Sequence, residues 1–116
     1  SLGEAVVAAG AGTIVVDVEL PEGYKVNDLA PFTMEWESDG TGLAETVVAL
    51  TDPSFPLEVP ATFAAGTLVV ELTVYYCLDD AEALCLVDQV RLETEVVVGG
   101  ADTSIALRHE VEAPGV

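Results

Sequence analysis

A chain of 116 residues is long enough to bury one hydrophobic core and too short for two. With 21 acidic residues against 3 basic ones and a formal net charge of −18, it repels phosphate backbones, which removes nucleic acid from the partners to consider. A hydrophobic content of 51% excludes disorder despite the charge, and no apolar run approaches the ~20 residues of a membrane helix, so a soluble domain is expected.

The chain begins at Ser1-Leu2 without an initiator methionine and shows no secretory leader, so residues 1–116 read as one domain cut from a longer multidomain protein. Gly3 to Gly12 is rich in Ala and Gly, and residues 1–12 read as a short first strand or a linker remnant. Thr13 to Leu20 alternates, with Ile14, Val16, Val18 and Leu20 inward and Asp17 and Glu19 outward. Pro21-Glu22-Gly23 is a turn, because Pro presets one dihedral and Gly supplies a positive one. Tyr24 to Leu29 leads to Pro31, after which Phe32, Met34 and Trp36 take the inward phase. Ser38 to Gly42 is a loop, Glu45 to Leu50 a short strand, and Thr51 to Pro56 a rigid connector. Leu57, Val59, Ala61 and Phe63 form the next inward face. Pro60, which cannot donate to a ladder, predicts an edge or a bulge there. After a final turn at Gly99-Gly100, Ser104 to Val111 places Ile105, Leu107 and Val111 inward.

Thr67 to Val98 organises the rest. Two long strand-like segments flank the stretch Cys77 to Cys85, and the only two cysteines sit at its edges. If those cysteines oppose each other, antiparallel pairing sets Tyr76 against Leu86, Leu72 against Val90 and Val70 against Leu92 on the apolar face. On the wetter face Tyr75 meets Val87, Thr73 meets Gln89, and Glu71 meets Arg91 as an opposite-charge pair. Asp88 then lands on the apolar face, which a bulge or a sheet edge would explain. Seven to nine strands with turn signals between them, and no helical pattern, define an all-β fold. The expected form is an antiparallel β-sandwich, immunoglobulin-like in the broad sense, with Trp36, Leu72, Val90 and Leu107 in the shared core.

The stretch Thr73-Val-Tyr-Tyr-Cys77, then Cys85, then Val90-Arg-Leu-Glu resembles the C-terminal β-stranded domain of thioredoxin-like proteins with an NHL-repeat propeller. Leu20-Pro-Glu-Gly-Tyr-Lys-Val-Asn27 is similar to the first turn of that domain, and the resemblance spans roughly residues 13 to 111. It implies an accessory module without a cofactor, whose partners are the thioredoxin-like and propeller domains of a parent chain or a redox partner protein. More distantly, the hairpin is similar to that of the N-terminal immunoglobulin-like domain of the thiol–disulfide interchange protein DsbD, although seven residues (78–84) separate the cysteines here. That likeness implies Cys77 and Cys85 as a redox pair.

Three chemistries are open to the cysteines. A structural disulfide closing so short a loop contributes roughly 2.5 kcal/mol in the chain-entropy model. A redox pair needs an accessible sulfur and a reducible bond. Two free thiols in a reducing compartment do nothing. A bond, if formed, points to a periplasmic or other extracytoplasmic location. Asp79, Asp80 and Glu82 beside the cysteines disfavour a thiolate, which suits an electron acceptor better than a donor. The same three acids, with Asn27 and Asp28, are the nearest approach to a calcium constellation, but no Asp-x-Asp-x-Asp-Gly loop exists and no metal is expected. His109, the single histidine, has inward phase and reads as a packed imidazole. One histidine and two cysteines make neither a hydrolase nor a zinc site. Tyr24, Tyr75, Trp36 and Tyr76 could floor a carbohydrate groove, but Trp36 and Tyr76 have core phase.

Overall fold

Period-2 alternation runs through most of the chain, and strands form wherever it holds. The computed structural model describes residues 3–26, 30–44, 47–50, 53–78 and 81–112. Among them are β1 (Glu4–Val7), β2 (Gly10–Glu19), β3 (Tyr24–Val26), β4 (Phe32–Ser38) and β5 (Gly42–Leu43). The rest are β6 (Val47–Leu50), β7 (Leu57–Phe63), β8 (Gly66–Leu78), β9 (Ala81–Val98) and β10 (Ser104–Glu110), and no helix occurs among the described residues. Ten strands exceed the seven to nine expected, because β3 and β5 are two- or three-residue pairings too short to leave a periodic signal.

The strands form two sheets packed as a sandwich. The first is ordered β1-β9-β8-β4-β6, with β3 also paired to β8, and the second β10-β2-β7-β5. Both sheets are mixed and not purely antiparallel. β1 pairs parallel to β9, and β10 pairs parallel to β2. One flank of β8 is filled by β9 along its whole length, so β4 and β3 share the other, β4 at Leu68 to Thr73 and β3 at Tyr76 to Leu78. The turn expected at Pro21 to Gly23 forms, with the Tyr24 amide donating to the Pro21 carbonyl.

Inward residues of both sheets meet in one core. Ile14, Val16, Val59, Phe63, Ile105 and Leu107 come from the smaller sheet, and Phe32, Met34, Leu68, Val70, Leu72, Val74 and Val96 from the larger. Each large side chain fully buried there contributes on the order of 1.5–3 kcal/mol. Of the four residues expected in the core, Leu72 and Leu107 are buried, whereas Trp36 and Val90 are partly buried against its margin. Position explains both, since Trp36 lies past Glu35, the last β4 residue paired to β6, and Val90 on the stretch of β9 whose outer flank no described strand pairs. Position 12 admits only glycine, because a Cβ there would strike the Phe63 ring and the Thr103 carbonyl.

Pro60 lies opposite Thr13 of β2, so β7 is not a free edge. Its carbonyl accepts from the Ala44 amide on the β5 side. The N–H that proline lacks would face the same way, toward a strand only two residues long, and the β2 ladder loses nothing.

Candidate functional site at the β8–β9 hairpin

The hairpin adopts the expected register. Cys77 opposes Cys85, Tyr76 opposes Leu86, Leu72 opposes Val90, and Glu71 opposes Arg91, with Tyr75–Val87 and Thr73–Gln89 between them and Val70–Leu92 beyond. The cysteines are joined in a disulfide, their Cα atoms 4.1 Å apart. The Glu95 amide donates to the Gly3 carbonyl, away from β8, and backbone direction alternates along a strand. Odd-numbered residues of β9 therefore face away from the β8 ladder, which makes Cys77–Cys85 a narrow, non-hydrogen-bonded pair. Beyond it the register shifts, and Leu78 pairs with Ala81. The tip is thus not a seven-residue loop: β9 bulges by residues 82–84 and the ladder resumes. The candidate ligands Asn27, Asp28, Asp79 and Asp80 lie outside the described residues, as does the side chain of Glu82. Among the described residues no group of three or more His, Cys, Asp or Glu could hold a metal ion.

The two cysteines differ in environment. Cys77 is buried, with 5% of its surface exposed, whereas Cys85 is exposed. β3 produces the difference by running along the Cys77 flank of β8 and setting Lys25 directly opposite Cys77. Lys25, Cys77 and Cys85 therefore form one row across three strands. Sequence reasoning looked for a cation within the hairpin and missed this one, which arrives from a strand fifty residues earlier.

Asp88 sits at a sheet edge, the second of the two expected explanations for its phase. From the inner face of β9 its Oδ2 reaches His109 Nε2 on β10, the edge strand of the other sheet, at 2.6 Å. His109 is therefore a polar clasp between the sheets and not merely a packed imidazole. Tyr76 lies beside this pair and meets Tyr24 edge-on, ring centres 5.4 Å apart. Burial raises the Tyr76 phenol above its ordinary pKa, and the Asp88 carboxylate and then Tyr24 add to the shift. Tyr76 is thus part of the interior and unavailable to a carbohydrate groove.

The outer face of the larger sheet is acidic. Glu35, Glu71 and Arg91 stand in one row across β4, β8 and β9, and Glu37, Val69 and Glu93 in the next. Arg91 Nη1 donates to Glu71 Oε1 at 3.5 Å, and Thr67 Oγ1 to Glu95 Oε2 at 2.8 Å. Three depressions on this face have volumes of about 80, 240 and 280 Å³. All are smaller than the ~300–1,000 Å³ of ordinary small-molecule sites. The fold and the hairpin define the chain as an all-β sandwich domain with one disulfide. No protein-family model matches the chain, and no curated protein matches it. No described helix is long and apolar enough to cross a membrane.

Proposed function

We propose that this domain is a non-catalytic accessory module, which holds neighbouring thioredoxin-like and propeller domains, or a partner protein, against the outer face of its larger sheet. The observation that carries this reading is the row Glu35–Glu71–Arg91. Like charges directly opposite each other in adjacent strands are destabilising, and one exposed arginine offsets only part of that repulsion. A face that keeps such a pair suits a basic surface on another domain, where the carboxylates supply attraction and orientation. The resemblance of Thr73 to Cys77 and of the first turn to NHL-repeat proteins names the domains to try. Calorimetric titration of this chain with a thioredoxin-like domain and with an NHL propeller domain tests the reading. Binding to at least one is expected, weakened by salt and by the double variant Glu35→Gln, Glu71→Gln. Absence of binding to both rejects it.

A second reading, thiol–disulfide exchange, is favoured by the row Lys25–Cys77–Cys85. A partner thiolate would attack the exposed Cys85 sulfur, breaking the S–S bond and expelling Cys77 as a thiolate, with the Lys25 ammonium on the neighbouring strand to stabilise it. A second partner thiolate would then attack the mixed disulfide and release Cys85, leaving the partner oxidised and this pair reduced. Such a bond belongs in an oxidising, extracytoplasmic compartment. Equilibration against glutathione buffers should then give a potential of about −180 to −270 mV, and a value below about −300 mV makes the bond purely structural.

A further inference from the structure

We propose that the uncovered edge of β9 takes up an extended, basic segment of a partner protein as an added strand. On its inner flank β9 is paired to β8 from Cys85 to Val96, but β1 covers its outer flank only from Glu95 to Val98. No described strand pairs with that outer flank at residues 86–94. The direction of the Glu95 amide, outward to Gly3, fixes the phase of the whole edge. Val87, Gln89, Arg91 and Glu93 turn both their N–H and C=O groups outward, in line with the ladder that β1 has begun. Nine residues at about 3.3 Å each make an edge of roughly 30 Å, enough for a full docked strand.

Side chains specify the occupant. Leu86 and Val90 are half-buried on the inner phase, where apolar residues of an added strand would complete their cover. An inward charge on an edge strand ordinarily blocks pairing, and Asp88 has that phase. Its carboxylate, however, is engaged by His109 within the chain. On the outer phase stand Val87, 53% exposed, Gln89, Arg91 and Glu93, with Glu95 next along the strand. Arg91 is engaged by Glu71 on β8, which leaves Glu93 and the chain's net charge of −18 to set the sign of the partner. The added strand therefore carries apolar residues inward and Lys or Arg outward. A second copy of this chain is the wrong occupant, since it would set −18 against −18. The site is the edge of the sheet, and it stands whether or not the sheet's outer face binds a domain.

The test uses the whole chain and a peptide of about ten residues alternating Val and Lys, the length that spans the edge at about 3.3 Å per residue. A control peptide has the same charge but N-methyl groups on alternate amides, so that it cannot complete a ladder. In physiological salt, hydrogen exchange at the Val87, Gln89, Arg91 and Glu93 amides should slow with the first peptide and not with the second. Gln89→Pro removes an outward N–H that the β8 ladder does not use, so binding should be lost with the melting temperature little changed. Equal binding of the two peptides would reduce the interaction to net charge and overturn the proposal. So would unchanged exchange at those four amides. Should Gln89→Pro unfold, the peptide pair on the unaltered chain still decides.

Discussion

At the Gly66–Val96 end of the hairpin, β1 closes the flank of β9, and Val7, Leu68, Val70 and Val96 are all but fully buried. At the Cys77–Cys85 end nothing described covers that flank. Leu86 and Val90 are half-buried there, Asp88 reaches across to His109, and a disulfide takes the place of packing. The same two strands thus pass from an apolar, close-packed region to a polar, cross-linked one. Stability should reside in the first, where burial is complete and directionless. Binding or exchange should reside in the second, where backbone groups and a sulfur are accessible. Loss of side chains at the two ends should therefore be felt very differently.

The largest difference is expected at Phe63, three residues before the covered end and 2% exposed. Phe63→Ala should cost about 3–5 kcal/mol, because the ring fills a space that Gly12 leaves for it and no neighbour can follow it. Urea unfolding measures this directly. Trp36→Ala should cost less despite the larger side chain, since Trp36 is only partly buried and lies past the last β4 residue paired to β6. If Trp36→Ala proves the more damaging, completeness of burial is not what sets the cost of losing a side chain in this region.

Much of the hairpin was legible because two constraints coincide in it. The period-2 pattern divides the faces, and the cysteines then fix the register, so that Tyr75 against Val87 or Thr73 against Gln89 follows without further choice. Asp88 disturbed that pattern and thereby announced the edge. The parallel pairings were not legible. β1 meets β9, and β10 meets β2, across some ninety residues with no turn to set the register. For the same reason Lys25 beside Cys77 and His109 against Asp88 escaped notice. Each residue's face could be read from its phase, but which strand lies next to which depends on closure of the whole sandwich. The short β3 and β5 carry too few residues for a periodic signal, yet β3 is what buries Cys77 and separates its environment from that of Cys85.

An intermediate effect is expected at the open end under alkaline conditions. The folded-state pKa of Tyr76 is raised by burial first, then by Asp88 and Tyr24. The unfolded chain releases this proton near pH 10, while the folded chain still holds it. Above that pH the folded state binds more protons than the unfolded one, so stability falls as pH rises toward the folded pKa, by at most about 1.4 kcal/mol per pH unit. Below pH 10 the group contributes no pH dependence. Thermal melts from pH 8 to 11 should show the decline, and Tyr76→Phe should make it shallower. Identical slopes for the two proteins would place the Tyr76 hydroxyl in water and extend the open end deeper than its burial implies.

The smallest effect, and the one of opposite sign, is expected where the two regions meet. Thr94 is the last β9 residue before β1 begins to cover the strand, and it faces inward with 3% of its surface exposed. Its Oγ1 is buried without a hydrogen-bond partner among the described residues. The neighbours on its face, Leu92 and Val96, are apolar and can supply none. A buried hydroxyl with no partner retains its desolvation cost, and a methyl group in its place fills nearly the same volume without it. Thr94→Val should therefore stabilise the domain by about 1 kcal/mol, read as a higher urea midpoint at unchanged slope. The gain identifies Thr94 as part of the covered, apolar region. A loss of stability would mean that the hydroxyl is satisfied by water entering from the uncovered edge, and the boundary between the two regions would move to Val96.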